Sequence, residues 1–217
     1  MVFDALPVCQ QKWIHSMFFL SIPKTASTSV SSCLGDRNLI HKHRGLIQQR
    51  FGKHPLYRGV FDLRHLLLSQ CFEIFGRQMY EFFSFSVKRN PFSRLESAFS
   101  FGKKMKLAKF YGLEQDSSFE DFVNFLFEAW ESGRQDILVL RQQVEWILYG
   151  DFKITEVLSF EEIQKDWAKM LKTYSINGFP AEIPWENRSK KKDVSWSKAL
   201  KNKVEKIYSK DFELLGY

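Results

Sequence analysis

With 217 residues, 44% hydrophobic and 16% aromatic, the chain has apolar material enough for the core of one domain, which excludes a disordered or low-complexity protein. Its net charge of +7 fits an anionic partner, whether nucleic acid, membrane surface, anionic glycan or nucleotide, and does not choose among them. Cys9, Cys33 and Cys71 are odd in number and far apart, which gives neither a disulfide framework nor a zinc site and implies reduced thiols.

Residues 1–16 lack a basic start followed by an apolar core, so they do not read as a signal peptide. The first strong element is the apolar run Met17-Phe18-Phe19-Leu20-Ser21-Ile22, stopped by Pro23, which predicts a buried strand. A polar turn follows, and residues 30–34 predict a helix closed by Gly35. Residues 36–62, broken by Gly45, Gly52, Pro55 and Gly59, predict loops with short helical pieces. Leu67, Leu68, Cys71, Phe72 and Phe75 have helical spacing within 65–75, and Gly76 ends that helix. The Phe-rich run 82–87 predicts a second buried strand. It leads through Lys88-Arg89-Asn90-Pro91 into a helix with Phe92, Leu95 and Phe99 on its inner side. Residues 103–116 predict a mobile basic loop. Ser118, with Asp121 three residues on, predicts the N-cap of a helix over 119–130. Then come a helical piece over 142–149, a strand over 154–158, a helix over 160–174, a polar segment over 177–193 and a last helix over 197–209. Strands alternating with helices imply one α/β domain with a central, mainly parallel sheet.

Two turns carry the chemistry. A strand that turns into a helix N-terminus is an anion site, because the first helical N–H groups lack partners and the dipole favours negative charge. At residues 23–29 this arrangement holds Lys24 and four hydroxyl residues, Thr25, Ser27, Thr28 and Ser29, which can donate to phosphate oxygens. The plain alternative is an ordinary strand–helix turn. A Walker A loop is excluded, since that motif needs glycines ahead of Lys-Ser/Thr and no glycine lies between Leu20 and Leu34. In the second turn Arg89 can grip a phosphate with its guanidinium fork, and Ser97 follows on the next helix. Their plain alternatives are a structural ion pair and a small packing residue. Turns at the carboxyl ends of adjacent parallel strands face one crevice.

The run from Phe19 to Ser29 resembles the 5′-phosphosulfate loop of the carbohydrate sulfotransferases related to heparan sulfate 2-O-sulfotransferase and chondroitin sulfotransferases. The run Val87-Lys88-Arg89-Asn90-Pro91-Phe92-Ser93-Arg94-Leu95-Glu96-Ser97-Ala98-Phe99 is similar to their 3′-phosphate motif. Leu158-Ser159-Phe160-Glu161-Glu162-Ile163 and the tail from Val204 to Tyr217 are weaker likenesses. The resemblance implies a P-loop-NTPase-like single domain over 1–217. It implies the donor 3′-phosphoadenosine 5′-phosphosulfate (PAPS), leaving 3′-phosphoadenosine 5′-phosphate (PAP) as product, and an acceptor hydroxyl on a carbohydrate. By the same resemblance Lys24 meets the bridging oxygen of the phosphosulfate. Thr25, Ala26, Ser27, Thr28 and Ser29 hold the 5′-phosphate, and Arg89 and Ser97 hold the 3′-phosphate. Asn187, Arg188 and Ser189 resemble a later segment that closes over the cofactor. Most relatives carry Gly-Gly or Gly-Thr where this chain has Ala26-Ser27, which cannot supply a glycine-only backbone angle.

Sulfuryl transfer needs in-line geometry, charge stabilisation and a base for the acceptor proton. No ligand-spaced His/Asp/Glu cluster implies a metal. Among five histidines, His65 stands at about the distance ahead of the second motif seen in many relatives. It is favoured as base, with His54, His43 and a carboxylate such as Asp62 as alternatives. Rival readings are a kinase-like phosphotransferase, which lacks its glycine loop, and a nucleic-acid module, which lacks basic residues interleaved with exposed aromatics. A third is a catalytically silent sulfotransferase fold that binds an anionic glycan. No run reaches the roughly 20 apolar residues of a membrane span, so a bacterial or viral cytoplasm is the expected setting.

Overall fold

A computed structural model describes residues 17–57, 63–104, 113–114, 116–184 and 194–217. The architecture is mixed α/β. Strands β1 (Phe18–Leu20), β2 (Ser84–Lys88) and β5 (Glu156–Ser159) form a parallel sheet with β2 in the middle. Between β2 and β5 in sequence, β3 (Leu148–Tyr149) and β4 (Phe152–Lys153) form a separate antiparallel hairpin. Helices α1 (Ser27–Leu34), α2 (Leu39–Lys42), α3 (Arg44–Phe51) and α4 (Leu68–Phe75) lie between β1 and β2 in the chain. Helices α5 (Pro91–Lys104), α6 (Phe119–Glu131), α7 (Ile163–Thr173), α8 (Lys198–Ile207) and α9 (Ser209–Leu215) follow.

The period of two along β1 decides where the sheet sits. Phe18, Leu20 and Ile22 enter one apolar cluster with α2, α3 and α4. Met17 and Phe19 enter another, with Phe85, Val87, Leu158 and residues of α1 and α7. A strand covered on both faces is apolar at most positions, which is why this sequence reads as a nearly continuous apolar run. Each fully buried Phe contributes about 2 kcal/mol. A third cluster joins α5, α6 and α8. No helix among the described residues is long and apolar enough to cross a membrane.

Several sequence expectations shift. The helix expected from residue 65 begins at Leu68; Leu63–His65 is a single 3₁₀ turn, so His65 precedes the helix. The helical piece expected over 142–149 is a 3₁₀ turn, Gln143–Trp146, that runs into β3. Gly150 at φ 57° makes the tight β3–β4 turn, a Gly-X hairpin signal that apolar periodicity hides. The strand expected over 154–158 pairs from Glu156, because the Thr155 hydroxyl accepts from Ser84 N–H and Thr155 N–H donates to Ser84 Oγ, both at 3.2 Å. The helix expected from 160 starts at Ile163, since the Asp166 carboxylate accepts from Ser159 N–H at 2.8 Å and holds a turn ahead of it. Beyond α8 the chain turns at Tyr208 into the additional helix α9. Most of the basic loop expected over 103–116 lies outside the described residues, as do Asn187, Arg188 and Ser189.

Candidate active site

The register Phe18↔Ser84, Phe19↔Phe85, Leu20↔Ser86 sets the carboxyl ends of β1 and β2 side by side, so the turns that follow them meet. Lys24 and Ala26 both have positive φ, 70° and 65°. Ala26, at ψ 24°, is the N-cap of α1 and takes the left-handed conformation without glycine, at about 1 kcal/mol. The loop therefore needs no glycine-only angle. Thr25 Oγ1 and Ser27 Oγ both donate to the Ile22 carbonyl, at 2.9 and 2.8 Å. These two hydroxyls shape the loop from inside. No side chain caps the start of α1; Thr28 is exposed there and Ser29 is buried.

Arg89 reaches this loop from the end of β2. Its Nη1 donates to the Lys24 carbonyl at 3.2 Å, its Nε donates to Ser93 Oγ at 2.9 Å, and its guanidinium lies 4.0 Å over the Phe160 ring. Lys24 Nζ sits 3.7 Å from the centroid of Phe101. Burial, and then the nearby Arg89 charge, lower the Lys24 ammonium from its ordinary 10.5 to about 8. Arg89 is also shifted down, by burial first. The Glu161 and Glu96 carboxylates act on Arg89 in the opposite sense, by their charge. Ser97 is half-buried on α5, one helical turn before Phe101.

The sequence model described as the Sulfotransferase family matches residues 12–217. The chain belongs to that family. Comparison with curated proteins and with solved structures finds no match. Both turns lie within the matched residues, and sulfuryl transfer is the chemistry of the family.

His65 is fastened to the first turn of the sulfotransferase. Its Nδ1 lies 2.7 Å from the Ser21 carbonyl and 3.2 Å from Ser21 Oγ. A carbonyl only accepts, so Nδ1 carries a proton and donates it to the Ser21 carbonyl. The His65 carbonyl accepts from Trp146 Nε1 at 3.2 Å. The other described candidates are engaged elsewhere: His43 Nδ1 meets the Leu39 carbonyl at 2.9 Å, and His54 Nδ1 accepts from Leu56 N–H at 3.2 Å. Asp62 lies outside the described residues.

Sequence reasoning gave no role to Arg94, Gln143 or Asp211. Arg94 is buried, with Nε donating to the Pro23 carbonyl and Nη1 to the Arg141 carbonyl, each at 3.1 Å. It shares the buried face of α5 with Pro91, Leu95, Ala98 and Gly102. A cation on an apolar helical stripe was the signal that could have found it. Gln143 and Asp211 carry no such signal, because their partners are far away in sequence. Arg94→Met leaves two buried carbonyls without donors. The Asp211 carboxyl, already raised by burial and lowered in part by Arg94, loses a compensating charge. We expect destabilisation of about 3 kcal/mol, a fall in Tm of roughly 6–12 °C, with no rescue by Arg94→Lys because an ammonium cannot fork to both carbonyls. An unchanged Tm would remove Arg94 from the support of the loop.

Proposed function

We propose that this sulfotransferase uses PAPS as donor and transfers its sulfuryl group to an acceptor hydroxyl, on a carbohydrate as the sequence resemblance implies. The proposal includes a single domain of P-loop-NTPase-like topology and kinship with the heparan sulfate and chondroitin enzymes. The observation that carries it is the pairing of Lys24 and Arg89, two desolvated cations from the ends of adjacent parallel strands, beside an uncapped helix start. In this proposal each cation serves one of the two phosphate positions of the donor. Both cations are partly buried, which removes some of the water that would screen them from an incoming anion.

In this reading Arg89 and Ser97 hold the 3′-phosphate, and the N–H groups at the start of α1 hold the 5′-phosphate. Thr25 and Ser27 keep the loop in shape through Ile22, while Thr28 and Ser29 stand in the first turn of α1. The donor supplies an activated sulfuryl group and a phosphate as leaving group. Lys24 stabilises the negative charge that grows on the bridging oxygen as the S–O bond breaks. His65 Nε2 takes the proton of the acceptor hydroxyl while its oxygen bonds to sulfur. Asn187, Arg188 and Ser189 close over the nucleotide in the same proposal.

The test is calorimetric titration of the protein with PAP. Wild type is expected to bind tightly, and Arg89→Ala to lose about 10- to 100-fold in affinity, the worth of one or two charge-assisted hydrogen bonds. A folded wild-type protein that does not bind PAP would sink the donor reading.

A further inference from the structure

We infer that Gln143 and Asp211 are positioning residues for Arg89, and that together they fix the 3′-phosphate grip before the nucleotide arrives. The inference rests on the proposed role of Arg89. It concerns a buried polar relay that joins three segments distant in sequence.

The ladder of β2 ends at Lys88, whose carbonyl accepts from Phe160 N–H at 2.7 Å. Arg89 is one residue beyond, where no strand meets its main chain. Gln143 supplies what a strand would have supplied. Arg89 N–H donates to Gln143 Oε1 at 2.9 Å, and Gln143 Nε2 donates to the Arg89 carbonyl at 2.8 Å. One carboxamide thus satisfies both main-chain groups of the same residue. Gln143 is fully buried, so its amide is shielded from water on its own side of both bonds.

A carboxamide can be placed two ways round; the N–H and carbonyl of Arg89 select this one, and Asp211 reinforces it. Nε2 donates a second hydrogen bond to Asp211 Oδ2 at 3.3 Å, while Asp211 Oδ1 accepts from Val144 N–H at 3.1 Å. Reversing the amide would set Oε1 against a carboxylate and against the Arg89 carbonyl, and Nε2 against the Arg89 N–H. All three contacts would then be repulsive. Asp211 is itself buried on α9, so the tail of the chain holds the amide that holds the arginine.

Pinning the Arg89 main chain fixes the direction of its side chain. The contacts of its guanidinium with Ser93, the Lys24 carbonyl and the Phe160 ring tolerate only small shifts of that origin. A preorganised fork loses less entropy when a phosphate binds than a mobile one does.

Gln143→Glu keeps the shape and keeps an acceptor for Arg89 N–H, but turns an oxygen toward the Arg89 carbonyl and toward Asp211. We would titrate the full chain with PAP and with 5′-AMP, which lacks the 3′-phosphate. The expected result is a loss of about tenfold or more for PAP and less than about twofold for AMP. In the ligand-free protein the Arg89 amide should exchange its hydrogen faster. Asp211→Asn, a milder change, should move both readings the same way and serves if Gln143→Glu does not fold. An unchanged PAP-to-AMP ratio in a folded variant overturns the inference, and so does an equal loss for both nucleotides, which is what general loosening would give. Unaltered exchange at Arg89 overturns it as well. If the wild type binds no PAP the donor reading fails, and the clamp then stands or falls on the amide exchange alone.

Discussion

Lys24→Met is expected to slow sulfuryl transfer by about 10²–10³-fold, the range found when one group that stabilises a developing oxyanion is removed. The flexible apolar side chain of methionine can still lie on Phe101, so the loop keeps its packing. The lost charge acts on the leaving oxygen, so single-turnover rates should fall more than PAP affinity does. The pH profile gives a second reading. Lys24 is cationic below about 8 in the free protein, so kcat/KM should decline as pH rises through that value. Anionic donor favours the charged ammonium and raises this midpoint, so the decline in kcat should come at higher pH. Both declines should be missing in Lys24→Met. The same substitution should raise the Tm of the ligand-free protein. The folded state holds this ammonium at about 8 against an ordinary 10.5, so carrying the charge destabilises the fold fully below pH 8. That penalty fades between 8 and 10.5 as the unfolded chain also loses the proton. The gain in Tm should therefore be largest at neutral pH. A variant with wild-type turnover would take Lys24 out of the chemistry.

His65→Gln is expected to reduce transfer by about 10²–10⁴-fold, the contribution typical of a positioned base, while PAP affinity stays near that of wild type. Glutamine can still donate to the Ser21 carbonyl, so the turn at 63–65 keeps its anchor and loses only the basic nitrogen. Retained turnover would move the role to another residue. Loss of PAP binding together with turnover would mean that His65 supports the loop through Ser21 instead of taking a proton.

The motifs were legible because both are local. A strand, a polar turn and a helix start are contiguous in residues 17–34 and again in 82–104, and local sequence sets such units. The sheet was legible for the same reason, since a short, mostly apolar run such as Met17 to Ile22, stopped by Pro23, fits a strand covered on both faces. The hairpin of β3 and β4 was not, because its strands are two residues long and its apolar residues imitate a helix. Boundaries such as 156 and 163 were set by side chains, Thr155 and Asp166, that replace main-chain partners. Periodicity carries no trace of such replacements.

By itself the sequence determined that Lys24 follows one strand and Arg89 another, that both belong at the carboxyl end of the sheet of an α/β fold, and that the family is that of the sulfotransferases. Only the tertiary structure decided how those cations are held. Arg94 fastens the first turn through Pro23, Gln143 fastens the second through Arg89, and Asp211 braces the glutamine from the last helix. The physical reason is range. A strand–turn–helix motif is written in neighbouring residues, whereas its rigidity comes from hydrogen bonds between segments 54 and 68 residues apart, whose partners exist only once the chain has folded.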